Sequence, residues 1–290
     1  MSSPPRAAAD LAARLHRRQP LKAWSLIITF FGDSGLPRGG CVPLSVIVAV
    51  LAECGVDATT VRTAIARLTR DGWLVRERRG RRSDYRLDSP GLSTFTDAGE
   101  RIYARNPPAF AERWALAITT LNAGKGRKQL RSLLRNTGFG ALDDTVFLRP
   151  ENRPMRPLPD AEGVHFLRTE TAPGPLPPAL LERAFDLVAL DALYQQFIAD
   201  VDPWLEPPAP DDGAQCAALR TLLIHAYRRV VLRDPQLPDD LAPTLVHRAR
   251  ARDTAARLYR RWTPRSEHWL DSATDTPWLA DGSATVSARF

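Results

Sequence analysis

The sequence predicts a mixed α+β chain of several domains: a helical amino-terminal module closing on a β-ribbon, a central α+β unit and a carboxy-terminal helical region. Three observations predict it. The chain has 290 residues, of which 44% are hydrophobic, enough to bury cores in about two domains of roughly 150 residues each. Residues 21–72 carry three apolar patterns at helical spacing, and residues 73–87 switch to two short runs flanking Gly80. From Pro178 onward the apolar period is helical again.

Composition excludes several classes. Intrinsic disorder does not fit this apolar content, and the longest apolar runs, such as Val46 to Ala52, fall far short of the ~20 residues of a membrane-spanning helix. A soluble, cytoplasmic protein is expected. Cys41, Cys54 and Cys216 are odd in number and outside any CxxC, which fits small core residues under reducing conditions. Arg17-Arg18 precede the apolar run Leu21 to Phe31 in the order of a twin-arginine export signal, but no small-residue cleavage site follows. Residues 1–19 read instead as a frayed basic arm.

Charge is unevenly placed. Residues 1–150 hold 24 Lys/Arg and 13 Asp/Glu, a net +11, while residues 151–290 hold 16 and 20, a net −4. The cationic field of the front half suits a polyanion, since each phosphate neutralised releases condensed counterions. Thirty-seven of the 40 basic residues are Arg and only two residues are Met, a bias that GC-rich coding also produces, so position has to carry the reading.

Leu21 to Phe31, apolar almost all round, predicts a buried helix ending at Gly32-Asp33. After the turn Pro37-Arg38-Gly39-Gly40, Pro43 suits the first turn of a second helix, with Leu44, Ile47, Val48 and Leu51 on one side and Gly55 as its stop. Asp57 is a suitable N-cap for a third helix, in which Val61, Ala64, Ile65 and Leu68 form the apolar stripe and Asp71-Gly72 the terminator. The opposite face comprises Thr59, Thr60, Arg62, Thr63, Ala66, Arg67 and Arg70, with no acid among them. Such a face is either merely solvated or built for the major groove, where Arg donates twice to guanine and Thr bonds a base or phosphate.

The following ribbon favours the groove. Trp73 to Arg79 and Arg82 to Leu87 read as a hairpin with Trp73, Val75, Tyr85 and Leu87 as the alternate inward residues. Its tip, Arg78-Arg79-Gly80-Arg81-Arg82, gathers four guanidiniums that repel one another unless phosphates compensate them. Helix-turn-helix followed at once by a basic ribbon is the order of a winged helix-turn-helix. The DNA-contacting set expected is Thr59, Thr60, Arg62, Thr63, Arg67, Arg70, Arg78, Arg79, Arg81, Arg82 and Tyr85.

The runs Ser25 to Asp33, Pro37 to Gly40, Val61 to Leu68, Asp71 to Leu74 and Gly80 to Leu87 together resemble the PaaX family of bacterial transcriptional repressors of phenylacetate catabolism. The likeness continues through Phe95, Arg101 to Ala104, Trp114, Arg127 to Leu134, Gly138 to Gly140, Leu148 to Pro150, Arg233 to Pro238 and Leu258-Tyr259. Two departures stand out: Leu245 to Arg250 replaces a Trp-Pro-Gly-like segment, and Pro150 to Pro178 is rich in proline. The resemblance implies a dimeric repressor released from operator DNA by an aryl-CoA thioester, typically phenylacetyl-CoA or a related acyl-CoA.

In the middle, residues 114–121 read as a buried strand, Gly124 to Asn136 as a helix, and Ala141 to Leu148 and Val164 to Thr169 as further strands. This is a small α+β unit with a ferredoxin-like or Cas2-like βαβ beginning. Gly124-Lys125-Gly126 lacks the spacing of a phosphate loop. The basic residues Lys125, Arg127, Lys128 and Arg131 suit the phosphates of CoA, supplement DNA contact, or are simply exposed.

The rear reads as amphipathic helices over Ala179 to Val201, Ala214 to Arg233 and Ala242 to Leu270, the last broken near Trp262-Thr263-Pro264. Leu219, Leu222, Leu223, Ala226, Tyr227 and Val230 make a stripe that serves either as core or as a dimer seam. A homodimer would give two reading helices related by a two-fold axis and a palindromic operator. The expected domains are 20–90 (winged helix), 91–175 (central α+β) and 176–272 (helical), with flexible tails at 1–19 and 273–290.

No catalytic, metal or cofactor site is expected: the five histidines form no HxxxH, HExxH or nucleophile-elbow pattern. Asp143-Asp144 invites a metal pair by analogy with Cas2-like nucleases, although adjacent carboxylates near a turn are far more often caps. The alternatives to a ligand-responsive repressor are therefore a metal-dependent nuclease or a non-specific nucleic-acid-binding protein built on the central domain.

Overall fold

The computed structural model describes residues 7–79, 82–104, 113–121, 124–151, 163–170, 176–273, 286 and 288–290. The chain forms two compact units. Unit one combines Met1–Arg105, Gln196–Val231 and Arg250–Phe290; unit two combines Asn106–Gln195 and Leu232–Ala249. This partition does not follow the three consecutive segments expected from the sequence, because carboxy-terminal helices complete the core of the amino-terminal module.

Unit one begins with α1 (Ala7–Arg18), where a frayed arm was expected. Ala8, Leu11, Ala12 and Leu15 repeat at helical spacing and are buried, and Arg14 and Arg18 reach the Asp200 carboxylate at 3.6 and 3.5 Å. Small alanines hid the stripe beneath a basic composition. α2 (Ala23–Phe30) does not stop at Gly32-Asp33: a wider π-type turn over Phe31–Gly35 and a 3₁₀ turn over Leu36–Arg38 carry it on. A short strand, β1 (Cys41–Pro43), then precedes α3 (Leu44–Glu53) and α4 (Ala58–Arg70).

β2 (Leu74–Arg79) and β3 (Arg82–Leu87) form the ribbon, and β1 completes a sheet of order β1-β3-β2. The ribbon register corrects the expected inward set. Leu74 pairs with Leu87 and Arg76 with Tyr85, so Leu74 shares a face with Tyr85 and Leu87 while Val75 lies on the other; Trp73 sits outside the strand and is 42% exposed. Starting the strand one residue later exchanges the faces of its side chains.

α5 (Ser89–Ile102) follows, and α9 (Gly213–Val231) runs through the middle of the unit, packed against α1, α2, α3 and α5. Thirteen of its 19 residues are buried, so its apolar stripe is core and not a seam between copies. α10 (Arg248–Ser272) runs through Pro264 instead of breaking there, and residues 242–247 lie outside it. Proline removes one ladder donor, and beside it Thr263 Oγ1 donates to the Tyr259 carbonyl at 2.7 Å.

A charged network lies inside this core. Arg220 on α9 and Arg38 after α2 both clasp Glu267 on α10, Arg38 from Nη2 at 2.7 Å, and Arg220 also reaches Asp33. Composition gave no hint of it. Residues 274–285 and 287 of the expected loose tail lie outside the described residues, but Val286 and Phe290 are buried. Cys54 and Cys216 are buried free thiols, with burial the main cause that pushes Cys54 to about 12, while Cys41 is half-buried.

Unit two contains β4 (Arg113–Thr119), α6 (Lys125–Asn136), β5 (Gly140–Ala141), β6 (Val146–Pro150) and β7 (Val164–Glu170), in an antiparallel sheet of order β5-β6-β4-β7. The strand expected over 141–148 is in fact the β5–β6 hairpin. Ala115, Ala117, Leu130, Leu134, Phe139 and Phe147 pack α6 onto one face. α7 (Pro178–Phe185) lies on β5, and α8 (Leu187–Val201) follows a break at Asp186, whose φ is +51°.

Candidate nucleic-acid interface

Local chemistry sets both ends of α4. Asp57 is extended (φ −69°, ψ 155°), and its Oδ1 accepts the Thr60 backbone N–H at 2.9 Å while Thr60 Oγ1 donates to Oδ2 at 2.6 Å. These bonds from Thr60 hold the Asp57 carboxyl below its ordinary range. At the far end the Gly72 N–H reaches the Thr69 carbonyl (3.2 Å) and the Trp73 N–H reaches Leu68 (2.9 Å). This double closure needs a left-handed residue, and Gly72 supplies it at φ +74°. The chain thus leaves α4 directly into the ribbon.

Val61, Ile65 and Leu68 are at most 4% exposed, with α2 and α3 among the elements packed on α4. On the other side Thr59, Thr60, Arg62, Thr63, Ala66, Arg67 and Arg70 are all exposed, as the sequence pattern requires. Their polar groups are lightly engaged. Arg67 and Arg70 share Asp71 through Nε at 3.4 and 3.5 Å, contacts between exposed groups worth about 0–1 kcal/mol. Thr63 Oγ1 donates to the Thr59 carbonyl at 3.0 Å, leaving its oxygen to accept. Arg62 has no ion pair among the described residues.

Two ribbon arginines are engaged within the hairpin. Arg86 Nε donates to Glu77 Oε1 at 2.5 Å, and Arg76 Nη2 to Ser83 Oγ at 2.6 Å. Arg78 is exposed opposite Ser83, and Arg79 pairs with Arg82 at the last register position. Gly80 and Arg81 lie outside the described residues, as do the side chains of Arg79 and Arg82. Tyr85 is half-buried on the central strand, between Val42 and Arg76 in register. Arg76, outside the expected DNA-contacting set, is exposed although the register puts it on the face of Leu74 and Leu87.

The basic helix of unit two is partly spent on its own hairpin. Arg127 Nη2 donates to the Asp144 carbonyl at 2.8 Å and Arg131 Nη1 to Asp144 Oδ1 at 3.1 Å. Lys128 is exposed, and the Lys125 side chain lies outside the described residues. Arg131, Arg135, Arg183, Asp143, Asp144 and Asp186 are among the residues lining a cleft of about 630 Å³. Asp143 caps the hairpin: its Oδ1 accepts Thr145 N at 2.6 Å, Thr145 Oγ1 at 2.9 Å and Val146 N at 2.7 Å, and these bonds lower its pKa. The adjacent carboxylates therefore read as a cap and an arginine partner, which does not favour a nuclease. Among the described residues no group of three or more His, Cys, Asp or Glu is arranged to hold a metal, and no helix is long and apolar enough to cross a membrane.

The family model described as PaaX-like protein matches residues 22–91, and that described as PaaX-like protein C-terminal domain matches residues 185–272. The transcriptional repressor PaaX of Escherichia coli (strain K12) is 33% identical over 273 residues, spanning 89% of this chain and 85% of that protein. An uncharacterized protein of Mycobacterium tuberculosis, Rv0674, shares the fold with a TM-score of 0.53 at 24% identity, covering 84% of this chain and 98% of that one.

Proposed function

Because this chain belongs to the PaaX family of transcriptional repressors, we propose that it binds operator DNA as a winged helix-turn-helix and represses an aromatic, phenylacetate-type catabolic operon. α3 and α4 are the helix-turn-helix, with Arg62, Thr63 and Arg67 nearest the bases and Thr59, Thr60 and Arg70 on flanking phosphates. β2 and β3 are the wing, which holds phosphates or the minor groove through Arg78, Arg79, Arg81 and Arg82, with Tyr85 at its base. The observation that carries this reading is the wholly exposed, acid-free face of α4. A solvated helix face usually mixes both signs.

The strand order of unit two supports a ferredoxin-like or Cas2-like unit, a framework for pairing and regulation in a cytoplasmic homodimer. An aryl-CoA thioester such as phenylacetyl-CoA releases the operator, and Lys125, Arg127, Lys128 and Arg131 are candidates for its phosphates. Such a ligand must prefer the DNA-incompetent conformer, since equal affinity for both would shift nothing. Fluorescence anisotropy on a palindromic promoter fragment tests the reading. A repressor keeps that fragment against a ~10³-fold excess of random duplex and loses it on addition of phenylacetyl-CoA. Equal loss to random duplex would leave only non-specific binding.

A further inference from the structure

Residues 286–290 return to the core of unit one and fill an aromatic cage there. Val286 is 0% and Phe290 5% exposed. The Phe290 ring packs on Tyr103 after α5 at 5.3 Å between centroids, on Tyr259 of α10 at 5.2 Å and on Tyr227 of α9 at 6.1 Å. Its carbonyl accepts from Arg260 Nη2 at 2.7 Å, and its φ is +67°, a conformation that bulky residues seldom adopt.

The preceding residue joins this cage to the charged network. The Arg289 guanidinium lies 4.0 Å from the Tyr103 ring centroid, and its Nη1 donates to the Asp33 carbonyl at 2.6 Å and to Asp33 Oδ1 at 3.1 Å. Burial alone would raise the Asp33 carboxyl; Arg220, Arg289 and the hydroxyls of Tyr103 and Tyr259 outweigh it and hold the group ionised. Asp33 sits in the π-type turn that leads from α2 towards α3 and α4. Withdrawing Arg289 leaves Arg220 as the one cation hydrogen-bonded to it among the described residues.

Three phenol rings around a ring, with a guanidinium at the carbonyl beyond it, recognise an aryl group on a short aliphatic link to a carbonyl. We infer that this cage is a binding site for an aryl-acyl group, occupied here by Phe290, so that ligand and the Arg289-Phe290 segment exclude one another. The cage stands on its own geometry; its effect on DNA rests on the reading of the chain as a ligand-released repressor. Ligand in the cage lifts Arg289 from Asp33 and unbalances the turn beneath the reading helices.

The test compares the full chain with its Phe290→Ala variant, titrated with phenylacetyl-CoA and with N-acetylphenylalaninamide by calorimetry and followed by operator anisotropy. The variant should bind both compounds at least tenfold more tightly, having lost the internal competitor, and Arg260→Ala in that background should reverse the gain. Equal affinity of parent and variant for both compounds, or binding of neither, overturns the cage. Equal release of operator from parent and variant by phenylacetyl-CoA also overturns the cage while leaving ligand release intact. Tighter binding of N-acetylphenylalaninamide with no operator release by phenylacetyl-CoA keeps the cage and removes ligand release. Should Phe290→Ala unfold, Phe290→Leu keeps apolar volume without the ring and is read in the same way.

Discussion

Arg220 Nε donates to Asp33 Oδ2 at 2.8 Å across 187 residues of sequence, and neither side chain has any exposed surface. The other two nitrogens reach Glu267 and Ser34, so one guanidinium on α9 ties the π-type turn to α10. Removing one member of such a group leaves charges buried without a partner. Arg220→Met should therefore lose about 3–5 kcal/mol of unfolding free energy. A urea midpoint unchanged from the parent would show that the network carries no stability.

DNA contact should separate into two classes. Arg62→Ala should relax preference at one position per half-site at a cost of about 1–3 kcal/mol, with little effect on random duplex. Arg78→Ala should weaken every duplex alike and reduce the salt slope by about one. Anisotropy titrations from low to moderate salt on matched and mismatched promoter fragments measure both; identical behaviour of the two variants would break the division of roles.

His225 makes stability depend on pH. It is 2% exposed, and burial first, then Arg228 and Arg229, lower its pKa from 6.5 to about 3. The folded chain thus resists a proton that the unfolded chain accepts, so this contribution is complete above pH 6.5 and declines as pH falls towards 3. Between pH 6.5 and 5 the loss is about 2 kcal/mol. Urea titrations at these two pH values should show a smaller drop for His225→Gln than for the parent; an equal drop would mean that the ring titrates normally.

Gly140 on β5 has no room for a methyl group. A Cβ there would lie 2.7 Å from the Ala184 carbonyl oxygen and 2.8 Å from the Phe185 ring. Gly140→Ala should destabilise unit two by about 1–3 kcal/mol through overpacking, seen as a lower melting temperature in calorimetry. An unchanged melting transition would show that α7 shifts freely away from β5.

What could be read from residue order was mostly local. The Asp57 cap, the Val61-Ile65-Leu68 stripe and the Gly72 stop each involve groups within a turn of one another, so α4 and its outward cations were legible at once. The ribbon was legible as a ribbon, but its phase depended on how the Gly72-Trp73 closure leaves the helix, and one residue of offset moved Trp73 out and Leu74 in. α1 was missed because alanines bury little area each, and a basic surface dominates such a composition. Pro264 suggested a break that the rest of α10 overrides.

By itself the sequence determined the helix–helix–helix–ribbon order and the acid-free face of α4, since these rest on short-range periodicity and capping, while the family likeness rests on an ordered series of residue runs. Only the tertiary structure decided that α9 and α10 complete the amino-terminal core, that Asp33, Arg220, Arg38 and Glu267 share one buried network, and that Phe290 returns to a cage of tyrosines. Within that network the partners stand 47 to 229 residues apart. A buried charge is tolerable only where its counter-charge arrives, and no local pattern announces which distant residue that will be.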